Sequence, residues 1–141
     1  MTRRCDTRVM YDEATATNAL QHVRRMCRDL PEVTERLSHG SPTWFVRGKK
    51  TFVMFLDDHH GDGRLALWCA APPGVQQQLV EQEPARFFRP PYVGHRGWLG
   101  VILDVDPDWD EVAAICADAY RQVAPKTLVA ALDARPEEAD R

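Results

Sequence analysis

Residues 43–56, TWFVRGKKTFVMFL, decide the fold, because two apolar runs lie on either side of a short polar turn. Both runs are rich in β-branched and aromatic residues, which is typical of strands. Gly48 and Lys49 are predicted to form a two-residue turn of type II′, in which glycine takes the first central position. The segment therefore predicts a β-hairpin.

Three further strands are predicted after this hairpin. The polar turn 57–64 precedes the first of them, Leu65–Ala70. The other two, Phe87–Val93 and Trp98–Val105, flank a tight turn at Gly94–Gly97, where two glycines permit positive φ. Because several strand positions are apolar on both faces, we expect the sheet to be covered on more than one side.

Four helices are predicted from apolar residues at helical spacing. Their expected spans are, in chain order, about 12–29, 73–82, 108–123 and 125–134. Asp108 and Glu111 suggest a capping box for the third helix, whose apolar rhythm is the most regular. The order of elements predicts an α+β domain with a mostly antiparallel five-stranded sheet packed with about four helices.

The length of 141 residues suits one domain with its own core. We expect that domain to span residues 12–134, between a flexible tail at 1–11 and a frayed tail at 135–141. The sequence contains no apolar stretch near the ~20 residues that cross a bilayer, and the first residues do not resemble a signal peptide. The expectation is a cytoplasmic protein with no membrane contact.

Four cysteines stand singly along the chain, without CxxC spacing: Cys5, Cys27, Cys69 and Cys116. This pattern favours reduced packing thiols over disulfides or a zinc site. The turn from Asp57 to Asp62 contains two histidines and could hold a divalent cation, although such a polar cluster is more often a solvated loop. We expect no metal and no cofactor.

The net charge of −3 conceals an uneven distribution. Residues 101–141 contain ten acidic and four basic side chains, whereas residues 44–100 have a small basic excess. An anionic partner should therefore meet the central strands and be repelled by the last helices.

Four sequence blocks carry a family resemblance: LPEVTERLSHGSPTWFVRGKKTFVMF (30–55), LWCAAPP (67–73), FFRPPYVGHRGWLGVILD (87–104) and DWDEVAAICADAYRQVAPKTL (108–128). In this order they resemble the MmcQ/YjbR family, over roughly residues 14–133. The resemblance implies a CyaY-like fold and DNA binding through a double-wing arrangement of two hairpins.

On that interpretation, the two hairpins are basic wings. The cations expected to neutralise phosphates are Arg47, Lys49, Lys50, Arg89 and Arg96. His95 would add a pH-sensitive donor, and Tyr92 and Trp98, with Trp44, would supply stacking or apolar contact. The alternative is that the cations are solvated hairpin ends and that Trp44 and Trp98 belong to the core.

A small anionic ligand or a protein partner is the second interpretation. The groove from Pro90 to Trp98 would offer an aromatic wall, with Arg96 as an anion clamp. Catalysis is not expected, because no histidine has an evident partner in the sequence, and His39 beside Ser41 fits a turn better than a Ser/His pair. We therefore expect a non-catalytic binding protein.

Overall fold

The computed structural model describes residues 11–135. In chain order the elements are α1 Glu13–Arg28, β1 Val33–Ser38, β2 Ser41–Val46, β3 Lys50–Asp57, β4 Leu65–Cys69, α2 Val75–Gln82, β5 Phe87–Phe88, β6 Leu99–Ile102, α3 Trp109–Val123 and α4 Lys126–Asp133. Short 3₁₀ turns occur at His59–Gly61 and Gly94–Arg96. None of the described helices has the length and hydropathy of a membrane-spanning segment.

The predicted tails fall largely outside the described residues, at 1–10 and 136–141. Tyr11 and Arg135, which the sequence assigned to those tails, contact the domain. The Tyr11 hydroxyl donates to the Asp57 carboxylate, and the Arg135 guanidinium lies 3.4 Å from a carboxylate oxygen of Asp29.

One antiparallel sheet in the order β1-β2-β3-β4-β6-β5 confirms the α+β class, and the four predicted helices are present. The sheet has six strands instead of the predicted five, because β1 was missed. This edge strand is mostly polar and none of its residues is buried, so it gave no continuous apolar signal. Glu35 fixes it to α1 through ion pairs with Arg24 (2.8 Å) and Arg28 (3.2 Å).

Two tight turns at opposite ends of β2 set the register of the first three strands. Arg47 and Gly48 both have positive φ (55° and 70°), and the Lys49 amide donates to the Val46 carbonyl at 3.0 Å. This geometry is that of a type I′ turn, so the predicted type II′ turn at Gly48 and Lys49 was wrong. The β1–β2 turn repeats the pattern at His39 and Gly40, with φ of 53° and 82°.

A β-bulge in β3 alters the alternation of side chains. Trp44 pairs with Val53 and Phe45 with Thr51, so Phe52 is the extra residue. Its ring meets the edge of Tyr120 in α3, at 5.6 Å between centroids.

The two faces of the sheet have different cover. On one face, Cys69 of β4 lies close to Cys116 of α3, which identifies the side on which α1 and α3 pack. The neighbouring β4 residues Ala66 and Trp68 point the opposite way. We call this second side the open face, because neither α1 nor α3 covers it.

The connection from β5 to β6 is a ten-residue loop, 89–98, instead of the predicted tight turn between long strands. Pro90 and Pro91 have no amide hydrogen to donate, so β5 ends at Phe88. The loop is held by α2, where the Gln76 side-chain amide donates to the carbonyls of Gly94 (2.8 Å) and Trp98 (2.5 Å).

The cap of α3 is only half of the predicted capping box. The Asp108 carboxylate accepts from the amides of Asp110 and Glu111, at 3.0 and 3.4 Å. The Glu111 side chain does not return to the cap and instead pairs with Arg86.

Cys27, Cys69 and Cys116 are free and buried between the helices and the sheet, as the packing interpretation predicted, while Cys5 lies outside the described residues. Burial raises the pKa of Cys27 and Cys69 well above that of an exposed thiol. These thiols therefore stay protonated and behave as small apolar groups.

Gly100 is required by the Phe88 ring, because a Cβ on it would lie 2.5 Å from a ring carbon. We expect Gly100→Ala to lower the free energy of unfolding by ~1–3 kcal/mol through overpacking. Urea unfolding measures this loss. In a Phe88→Ala background the same substitution should cost much less, and equal losses in both backgrounds would contradict the close contact.

Candidate ligand-binding site on the open face

Loop 89–98 folds back across the open face and brings three aromatic side chains together. The ring of His59 meets Trp68 edge-on at 5.0 Å between centroids. Tyr92, which is 70% exposed, lies 6.3 Å from His59 and 6.4 Å from Trp68. We refer to these three residues as the aromatic cluster.

The aromatic cluster borders a cavity of about 780 Å³. Its apolar wall comes from alternate residues of β3, Met54 and Leu56. Its polar rim comes from the β1–β2 turn, with Ser38, His39 and Ser41. The volume is within the range of small-molecule sites, ~300–1,000 Å³.

Two ring nitrogens of the aromatic cluster, Trp68 Nε1 and His59 Nε2, are buried and have no hydrogen-bond partner among the described residues. Burial lowers the pKa of His59, and the neighbouring His60 lowers it further. His59 is therefore a neutral imidazole near pH 7, able to offer one donor and one acceptor.

The acidic residues of the turn after β3 are used to hold the turn. Asp58 accepts from the Gly63 amide at 2.7 Å, and Asp62 accepts from the Arg64 amide at 2.9 Å. Within residues 11–135 no three metal-ligating side chains are grouped so that they could hold an ion.

The cations predicted as phosphate contacts lie on two connections at the same end of the sheet. The β2–β3 turn follows the Val46–Lys50 pair, and loop 89–98 ends beside the Cys69–Leu99 pair. Lys49, Lys50, Arg89, His95 and Arg96 are exposed and form no ion pair with a described residue.

Other predicted site residues are placed differently. Arg47 pairs with Glu32 at 2.8 Å, so its charge is partly neutralised. Trp98 is only 4% exposed and Trp44 is fully buried, so both are core residues and cannot stack on a ligand. Trp98 does support Arg96, whose guanidinium lies 5.3 Å from the ring centroid.

The predicted groove from Pro90 to Trp98 was misplaced, since both of these residues are buried. Of that segment, Tyr92 and Val93 line the cavity described above. Met54 and Trp68 were not predicted as part of a site, and His59 was considered as a member of the Asp57–Asp62 turn. The one feature of the sequence that pointed to this site was that the strands are apolar on both faces, which implied a second covered surface.

A larger groove of about 1,220 Å³ lies between α1, α3 and α4 and contains five arginines. Four of them are already paired with acids: Arg24 and Arg28 with Glu35, Arg121 with Asp118 and Asp133, and Arg135 with Asp29. These pairs tie α1 to β1 and α3 to α4. The four paired arginines of this groove therefore have a structural role.

Comparison with known proteins gives a family and a fold. A family model described as YjbR matches residues 28–122. No curated protein shows a match. The crystal structure of Deinococcus radiodurans protein DR2400, described as a DUF419 domain, is similar with a TM-score of 0.63 and 17% identity, over 77% of this chain and 80% of that chain. At this identity the likeness concerns the fold alone.

The lowered pKa of His59 predicts a pH effect on stability. Between the ordinary histidine pKa of about 6.5 and the lowered value, the unfolded chain binds a proton that the folded chain excludes. The free energy of unfolding should therefore fall as pH decreases through this window. Urea unfolding at pH 7.5 and at pH 5.5 measures this fall in the free energy of unfolding. The fall should be smaller in His59→Gln than in the wild type, whereas the exposed-site control His95→Gln should show the same fall as the wild type. An equal loss in His59→Gln would contradict the burial of a neutral imidazole.

Proposed function

This chain belongs to the YjbR family, and we propose that it binds nucleic acid, without catalysis, along the open face of its sheet and the adjoining end. The observation that carries the proposal is the set of exposed cations on the β2–β3 turn and on loop 89–98. These two connections leave the same end of the sheet. A polyanion lying across that end would meet both at once.

Four side chains are best placed for phosphates: Lys49, Lys50, Arg89 and Arg96. The Arg89 stem lies against Gly94, where an added Cβ would come within 2.6 Å of Arg89 Cγ. Arg96 is steadied by Trp98. Two guanidinium groups are thus partly preorganised, which lowers the entropy lost when they bind an anion.

Two cations on the open face lie over aromatic rings. The Arg36 guanidinium is 3.6 Å from the centroid of Phe45, and that of Arg64 is 4.0 Å from the centroid of Phe88. Neither forms an ion pair with a described residue. Their charges extend the positive potential of the face away from the turn.

The acidic C-terminal part supports binding of a polyanion on the face away from α3. Asp110, Glu111 and Asp118 belong to α3, which packs on the other face of the sheet. The helices would repel a polyanion that the open face attracts. A nearly balanced total charge is therefore compatible with a local anion-binding surface.

The folded-back course of loop 89–98 changes the mode of binding that the double-wing resemblance implied. Of the two predicted wings, the β2–β3 turn extends as a tight hairpin, whereas loop 89–98 lies against the sheet through Tyr92. A strand lying across the face fits this shape better than two wings reaching into duplex grooves.

The test is fluorescence anisotropy with single-stranded and duplex oligonucleotides at several salt concentrations. We expect the wild type to bind and its affinity to fall with salt. Lys49→Ala/Lys50→Ala should weaken binding and reduce the slope of log K against log salt by about 0.7–0.9 for each lost phosphate contact.

The matched control is Arg25→Ala/Lys126→Ala, which removes the same two charges from exposed positions on α1 and α4. It should bind like the wild type. Salt-insensitive binding, or an equal loss in the control, would rule out the proposed surface.

A further inference from the structure

The cavity beside the aromatic cluster is chemically different from the cationic end of the sheet. Its lining includes Asp57 and Asp58 and contains neither lysine nor arginine. An anion would be disfavoured there by the two carboxylates and would find no cation to pair with. Asp57 already accepts from the Tyr11 hydroxyl and Asp58 from the Gly63 amide, so neither carboxylate needs a cationic partner. The occupant that fits this lining is uncharged.

Shape and composition favour a flat aromatic ring. His59, Trp68 and Tyr92 already contact one another at near-perpendicular or tilted angles, so an additional ring can meet a face or an edge of each. Met54 and Leu56 supply an apolar wall. The Ser38 and Ser41 hydroxyls on the rim can hydrogen-bond polar edges of the same ring.

The unpartnered nitrogens add a requirement for hydrogen bonds. Trp68 Nε1 can only donate, and Trp68 is 3% exposed. A buried polar group without a partner is costly, so a ligand that supplies the missing acceptor gains affinity. Trp68 and His59, which carry the two unpartnered nitrogens, both line the cavity together with the exposed Tyr92.

We propose that the cavity binds one flat, uncharged nitrogen heterocycle of nucleobase size, stacked on Tyr92 and hydrogen-bonded by Trp68 and His59. The ring is either the base of a free nucleoside or an unstacked base of a single strand. The second source rests on the proposed function and makes the preferred nucleic acid single-stranded, because a paired base cannot enter.

The position of the cavity is compatible with a strand that also reaches the cations. Ser41 and Val46 mark the two ends of β2, roughly 17 Å apart at ~3.4 Å per residue. The cavity lies at the Ser41 end and Lys49 follows the Val46 end. A short oligonucleotide can span both, whereas a mononucleoside occupies the cavity alone.

The experiment has two arms. In the first, the four common nucleosides are titrated into the isotope-labelled protein, and the indole N–H signals of the four tryptophans are followed by NMR. We expect at least one nucleoside to shift the Trp68 signal more than those of Trp44, Trp98 and Trp109, and Tyr92→Ala to weaken this binding.

In the second arm, a 12-nucleotide single strand and its duplex are compared by anisotropy. Tyr92→Ala should weaken single-strand binding about tenfold or more, the scale expected for losing one stacked base, and leave duplex binding unchanged. Tyr92→Phe should restore the affinity, because it keeps the ring. Trp68→Phe, which keeps a ring and removes the N–H, should also weaken single-strand binding.

The outcomes separate the two proposals. If Lys49→Ala/Lys50→Ala abolishes binding while the Tyr92 and Trp68 variants bind both probes like the wild type, the cavity proposal is overturned and the proposed function stands. If nucleosides shift the Trp68 signal but no oligonucleotide binds, the cavity is a nucleoside site and the proposed function fails. Absence of any response at Trp68 to nucleosides and single strands overturns the cavity proposal.

Discussion

The structure depends on one constraint, which is that α1 and α3 cover only one face of a sheet whose central strands are apolar on both. The covered face is packed around Cys27, Cys69 and Cys116. The other face exposes Ala66, Trp68 and their neighbours unless a loop covers them. Because burying a large apolar side chain contributes ~1.5–3 kcal/mol, the chain gains by folding loop 89–98 back over that face.

The sequence of that loop fits this task. Pro90 and Pro91 end β5 early, and Gly94 admits the Arg89 stem, so the chain turns across the sheet instead of pairing further. Gln76 holds the far part of the loop from α2. Cover by a loop is incomplete, which leaves a cavity under Tyr92 and places Arg89, His95 and Arg96 on the exposed side. The candidate site is thus a by-product of how the second face is closed.

Much of the fold could be predicted from local pattern, as the four helices illustrate. Their apolar spacing and the cap at Asp108 are signals contained within a few turns of chain. β1 could not be predicted in the same way, since its stability comes from pairing with β2 and from the ion pairs of Glu35 with α1. The turn at Arg47 and Gly48 was assigned to the wrong pair of residues, because an arginine with positive φ leaves no sequence signal.

The candidate site was harder to predict than the fold. Met54, His59, Trp68 and Tyr92 are separated in sequence, and only the antiparallel register and the folded-back loop bring them together. The exposed cations could be named from sequence because they lie on connections between strands, which normally run over the surface. The burial of Trp98 and the pairing of Arg47 with Glu32 could not be predicted from sequence, since both depend on tertiary contacts.

We propose that ligands meet the face that the helices leave uncovered. Amide hydrogen exchange of the full chain, with and without a single-stranded oligonucleotide, tests it most directly. We expect added protection in the β1–β2 turn, the β2–β3 turn, residues 58–64 and loop 89–98, with α1, α3 and α4 unchanged. Protection confined to the helices would contradict it.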